Sequence, residues 1–134
     1  MIRGFVASAF DLFHPGHLVL LRRCKEFCDH LIVGLHVNPA LERKGKNKPV
    51  QSLIERQIQL KGCSYIDEIV VYQTEEELQT LLHVLDLDYR FLGDEYKQRD
   101  DVTGKDIVPI QYIARDHKWS STELRERIQH ARHK

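Results

Sequence analysis

Apolar residues along this chain alternate between short continuous runs and longer stretches with helical spacing. Ile2 to Ser8 is an apolar run of strand length. Over Gly16 to Cys28 the apolar positions fall at 18, 20, 21, 24, 27 and 28, one face of a helix. His30 to His36 (HLIVGLH) is a second strand, which Asn38-Pro39 breaks. A basic loop with Gly and Pro follows over residues 41–50. Ser52 and Glu55 have capping-box spacing and open a helix to about Gly62. Ile66 to Tyr72 is a third strand. Thr74 and Glu77 repeat the capping pattern and open a helix to about Leu85. Tyr89 to Leu92 is a short fourth strand, running into Gly93-Asp94-Glu95-Tyr96. Lys97 to Asp106 is polar and reads as a loop. Val108 to Ile113 is the fifth strand, and Ser120 with Glu123 opens a terminal helix to about Ala131.

Short apolar strands alternating with helices predict an α/β fold: a Rossmann-like, doubly wound sheet of about five parallel strands with helices on both faces. No repeat, low-complexity tract or linker divides the chain, so residues 1–134 are expected to form one domain.

Charge refines this picture only locally. Lys plus Arg and Asp plus Glu both number 20. No overall field favours nucleic acid or an anionic membrane, and neither is expected as a partner. Two basic groups exist, Arg43, Lys44, Lys46 and Lys48, and Arg125, Arg127, Arg132 and Lys134. Neither interleaves aromatics in a nucleic-acid-binding pattern. No apolar run is long enough to span a bilayer and no leader pattern stands at the start. The three cysteines do not make a disulfide framework, and a reduced, cytoplasmic chain is expected.

Candidate chemistry begins at His14-Pro15-Gly16-His17, where the first strand hands over to the first helix. Ligands of open α/β sheets bind at that edge, and helix N-termini attract phosphate because their first N–H groups are unpaired. H-x-x-H can also supply two metal ligands, but only Asp11 stands near as a third, short of a zinc site. Lys44 and Lys46 sit in a loop that can close over phosphates or remain solvated. Arg115 to Thr122 (RDHKWSST) puts three hydroxyls at a helix start, where capping needs one. Cys24 and Cys28 fall on the apolar helix face and read as core. Cys63 ends a helix without further signal, and His30, His36, His83, His130 and His133 read as structural or surface residues.

Taken together, these motifs carry a family resemblance. Ala9-Phe10-Asp11-Leu12-Phe13-His14-Pro15-Gly16-His17 resembles the T-F-D-x-x-H-x-G-H signature of the HxGH nucleotidyltransferases. Arg115 to Thr122 resembles the R-T-x-G-I-S-T-T signature of the cytidylyltransferases. Tyr65 to Ile69 resembles the R-Y-V-D-E-V segment of glycerol-3-phosphate cytidylyltransferases, and Gly93 to Tyr96 their G-D-D-W/Y segment. The resemblance implies transfer of CMP from CTP to a small phosphorylated alcohol, glycerol 3-phosphate by default, with release of pyrophosphate. It also implies Mg²⁺ carried on the triphosphate, no metal held by the protein, and a homodimer with Asp67 near the interface.

By the same resemblance His14, His17, Lys46 and Arg115 are catalytic. The nucleotide would further meet Ala9, Phe10, Gly16, Glu95, Lys118, Trp119, Ser120, Ser121 and Thr122, the three hydroxyls donating to β- and γ-phosphates. Asp11 and Lys44 would meet the acceptor, and Arg56 and Asp67 would support the site. Ala9 replaces the signature threonine and Ser64 replaces the arginine of R-Y-V-D-E-V. Leu78 stands where glycerol-3-phosphate enzymes offer a lysine to substrate phosphate, and Asp116 to Trp119 replace T-x-G-I. Two alternatives remain: an ATP-using adenylyltransferase of the phosphopantetheine type, and a non-catalytic nucleotide-binding module on the same fold.

Overall fold

A computed structural model describes residues 1–131; Arg132, His133 and Lys134 lie outside the described residues. Five strands, β1 (Arg3–Ser8), β2 (His30–His36), β3 (Glu68–Tyr72), β4 (Tyr89–Gly93) and β5 (Ile110–Ile113), form one sheet in the order β3-β2-β1-β4-β5. Every pairing is parallel. Four helices, α1 (Pro15–Lys25), α2 (Leu53–Lys61), α3 (Glu75–Val84) and α4 (Ser121–Ala131), connect and follow the strands. The order reverses between β1 and β4, which opens a crevice beyond their carboxyl ends.

Side-chain alternation along the strands builds two cores. Val6, Leu31, Val33, Leu35 and Phe91 pack with Leu21 and Cys24 of α1 and Leu60 of α2 on one face. Phe5, Ile32 and Tyr72 pack with Leu78 and Leu82 of α3 on the other. Gly4 is needed in β1 because a Cβ there would drive into the Phe91 ring. Cys24 and Cys28 are buried core residues, as their spacing implied, and the Cys28 thiol donates to the Cys24 carbonyl.

The first two capping boxes form as read, and at Ser120 the Glu123 N–H bond to Oγ forms. Ser52 and Glu55 cap α2 reciprocally, and Thr74 and Glu77 do the same for α3. Three element ends differ from expectation by two residues or more. α1 stops at Lys25 rather than Cys28, because Phe27 and Cys28 donate to Cys24 and Lys25 in tighter turns. β3 begins at Glu68, because Ile66 N–H turns back onto Cys63. β5 begins at Ile110; Val108 is core, and the Pro109 carbonyl takes the Arg90 N–H while proline itself has none to give. Asp94–Tyr96 form a single 3₁₀ turn at the end of β4.

Candidate active site

The two signature histidines form each other's cap. His14 is the N-cap of α1, and its Nδ1 accepts from Gly16 N–H at 3.0 Å. The His17 Nδ1 accepts from His14 N–H at 3.2 Å, closing a capping box made of two imidazoles. Their rings stack with centroids 3.8 Å apart, and Phe13 stacks on the other side of His17 at 5.5 Å. This geometry fixes the tautomer: with both Nδ1 atoms accepting, each neutral ring carries its proton on Nε2. Burial, followed by the His14 charge, pushes the His17 pKa down to about 3. Burial, followed by the Arg115 charge, lowers that of His14 as well. At neutral pH the pair is uncharged and offers two Nε2–H donors.

Gly16 is required by close approach. A Cβ there would meet the His14 ring at 2.8 Å and the Trp119 carbonyl at 3.0 Å. The second contact shows that the starts of α1 and α4 meet, so two helix N-termini face one site. Arg115 reinforces this junction by donating to the Trp119 carbonyl at 3.1 Å.

The turn before α1 is strained. Phe10 and Leu12, neither of them glycine, hold φ of 48° and 52°, a conformation that needs surrounding contacts to impose it. Asp11 supplies them. Its buried carboxylate accepts from Val50 N–H at 2.8 Å and Gln51 N–H at 2.9 Å, and pairs with Arg125 of α4 at 2.8 Å. The Asp11 carboxylate thereby clamps the end of the basic loop and α4 to the turn. Arg56 on α2 is buried and donates to the carbonyls of Ala9, His36 and Val37 at 2.8–2.9 Å. It ties the ends of β1 and β2 together.

The hydroxyl run divides its work. Ser120 Oγ accepts from Glu123 N–H at 3.0 Å and so caps α4. Ser121 Oγ donates to the Asp11 carbonyl at 3.1 Å. Thr122 is exposed. Ser120 thus caps α4 and Ser121 holds it against the turn.

Above the strand ends lies a cleft of about 600 Å³, within the usual range for small-molecule sites. His14, Gly16, His17, Lys46, Arg115 and Ser120 line it, as do Glu95, Trp119 and Ser121. A hollow of about 320 Å³ adjoins it and is lined by Ala9, Phe10, Asp11 and Thr122. His17, Arg43, Lys46 and Ser121 border both spaces. Most of the expected residues are thereby brought together. Lys44 and Lys118 border neither space, and Asp67 is placed elsewhere altogether. It precedes β3 at the amino edge of the sheet, where it pairs with Lys25 and accepts from Leu31 N–H. Its expected support of the site is corrected to a tie between α1 and β2.

Four further residues belong to the site. Arg43 borders both spaces, and Arg125 clamps Asp11; both stood in the basic groups of the sequence without a specific role. Tyr72 ends β3 as an apolar-run residue, yet it borders both spaces. Arg90 had a readable signal, a charge inside the apolar run of β4, where a cation needs a reason to be buried.

The donor set is that of an anion site: two Nε2–H groups, Lys46, Arg43, Arg115 and two helix starts. Among the described residues no group of three or more His, Cys, Asp or Glu is placed to hold a metal ion. Among the described residues no helix is long and apolar enough to cross a membrane.

Donors of this kind, at the switch point of a parallel sheet, define a class of nucleotide-handling α/β proteins. The chain belongs to the cytidylyltransferase-like family, whose model matches residues 5–127. It is 31% identical over 103 residues to the ethanolamine-phosphate cytidylyltransferase of Arabidopsis thaliana, covering 72% of this chain and 24% of that protein. It is 37% identical over 106 residues to the bifunctional protein HldE of Rhodospirillum rubrum, covering 78% of this chain and 21% of that protein. The chain thus spans about a quarter or less of the length of these curated relatives. In fold it is similar to a lipopolysaccharide core biosynthesis protein of Thermoplasma volcanium, with a TM-score of 0.66 at 22% identity, over 90% of this chain and 99% of that one.

Proposed function

We propose that this chain transfers CMP from CTP to a small phosphorylated alcohol, giving a CDP-alcohol and pyrophosphate, with glycerol 3-phosphate as the default acceptor. The observation that carries this reading is the reciprocal cap of His14 and His17, which fixes two neutral Nε2–H donors beside Lys46 in the cleft.

The acceptor's phosphate oxygen is already anionic, so attack on the α-phosphorus needs no general base. One P–O bond forms, the bond to the bridging oxygen breaks, and the electron pair leaves with pyrophosphate. Charge accumulates on the α-phosphorus oxygens and the leaving group. Preorganised donors that stabilise this charge, together with in-line placement, are the protein's contribution. Neutral imidazoles suit the task because they donate without needing to gain a proton. Lys46 and Arg43, bordering both spaces, can bridge the two substrates. Mg²⁺, when carried on the triphosphate, neutralises part of its charge. The expected homodimer belongs to this proposal too, and pairing near Asp67 at the amino edge would leave the cleft open.

Pyrophosphate release with CTP and with ATP, each supplied with glycerol 3-phosphate, tests the reading. Release from CTP alone is expected. Release from ATP but not CTP would replace it with adenylyl transfer.

A further inference from the structure

Arg90 is a buried cation that forms no ion pair among the described residues. Its residue is 5% exposed, and burial pulls its pKa below the ordinary arginine value. Among the described residues its guanidinium makes one hydrogen bond, to the Thr103 carbonyl, and no carboxylate pairs with it. Burying a charge on such terms is unfavourable unless its remaining donors find partners. Those donors border the cleft rather than closed protein.

The groups around Arg90 come from every element at this end. Tyr72 from β3 and Glu75 from α3 face it, as does Tyr96 from the 3₁₀ turn. Arg99 and Asp101 also line the cleft, but they are spent on each other in a two-bond ion pair. Thr103 reaches Arg90 because the next residue, Gly104, turns the loop at φ 68°.

Depth separates this subsite from the phosphate site. Arg90 pairs with Phe5 across β1 and β4, three residues before Ser8 at the end of β1. That roots its backbone about 10 Å down the strand from the tips, where His17 and Lys46 line the cleft. It also lies on the α3 face, away from Arg115, Trp119 and Ser120. A molecule whose phosphate reaches the strand tips would extend its other end toward Arg90.

Resting on cytidylyl transfer as the reaction, we propose that Arg90 selects the acceptor by donating to oxygen atoms, hydroxyl or carboxylate, at the end remote from its phosphate, and that it disfavours an ammonium there. A guanidinium offers a planar fork of N–H donors and no acceptor, so it matches oxygen lone pairs and repels a second cation.

The test compares wild type with Arg90→Met and Arg90→Lys, using CTP, Mg²⁺ and three acceptors: glycerol 3-phosphate, 3-phosphoglycerate and phosphoethanolamine. Wild type is expected to favour one or both oxygen-ended acceptors, and the preferred one distinguishes hydroxyl from carboxylate. In Arg90→Met the KM for those acceptors should rise about 10- to 100-fold, the loss of a charged hydrogen bond. The KM for CTP should stay within about threefold, and the preference over phosphoethanolamine should shrink. Arg90→Lys keeps the charge and should restore part of it. Calorimetric titration of each folded variant with the same three compounds reads selection without turnover. Absence of turnover in wild type, with selective binding retained, would therefore overturn cytidylyl transfer and not the role of Arg90. Wild-type preference for phosphoethanolamine, unchanged selectivity in Arg90→Met, or no binding of any acceptor would overturn the proposal.

Discussion

At the α1–α4 end of the cleft, His14, Gly16, Arg115 and Ser120 act through local devices: helix caps, unpaired N–H groups and a glycine that lets two helix starts touch. At the α3 end, Tyr72, Glu75 and Arg90 come from three separate elements and are joined by a loop carbonyl. The first end suits any nucleoside triphosphate tail, because phosphate asks only for donors and positive charge. On the proposed reading, the second end is particular to the acceptor. A fold that keeps its first end constant can change acceptor by changing a few residues at the second.

The largest effect that sharpens this contrast is expected from His17→Asn. Asparagine Oδ1 can replace Nδ1 in the cap, while the Nε2–H donor is lost. Turnover should fall about 100- to 1000-fold, with the melting temperature little changed. Stopped-assay rates and thermal unfolding on the same sample check both halves. Near-normal turnover would show that the imidazole pair is only a helix cap.

Arg56→Met should act on the scaffold of the same end. It strands the carbonyls of Ala9, His36 and Val37, at a cost of about 3 kcal/mol. Urea unfolding should show this as a lower midpoint at unchanged slope. Equal stability would mean that the strand ends do not depend on this tie.

A smaller contrast lies within the basic loop. Lys46→Ala should raise the KM for CTP about tenfold, whereas Lys44→Ala should change either KM by less than about threefold. Steady-state kinetics with both substrates varied decide it; equal effects would mean that the loop closes differently over bound substrate.

Much of the first end was legible because its signals are short-range. The period changes at Pro15, and the Ser52–Glu55 and Thr74–Glu77 spacings lie within one turn. Asp11 was visible as part of the signature, but its partners Val50, Gln51 and Arg125 are 39, 40 and 114 residues away. Nothing local shows that its carboxylate is spent on a clamp. Ser121 was likewise read for phosphate, when its hydroxyl first serves the Asp11 carbonyl. Asp67 illustrates the converse: its motif was readable, but only the sheet order shows that it stands at the wrong edge for the cleft. Arg90 carried a signal, a cation amid Tyr89, Phe91 and Leu92, whose meaning depended on what the fold set against it.

A further effect is in pH. The His17 pKa is near 3 when folded and 6.5 in the unfolded chain, so the unfolded chain binds the proton first as pH falls. Stability from this group is complete above 6.5 and drains away toward 3. Thermal midpoints should decline over that window in wild type, and more shallowly in His17→Asn. Parallel declines would assign the loss to other groups.

The most direct measurement of the proposed reaction is ³¹P NMR of the chain incubated with CTP, Mg²⁺ and glycerol 3-phosphate. Cytidylyl transfer requires pyrophosphate and a diphosphate diester to appear together, in equal amounts, as the two substrates disappear. Persistence of all three CTP resonances alongside unconsumed acceptor, with a folded protein and with each of the other two acceptors in turn, would contradict it.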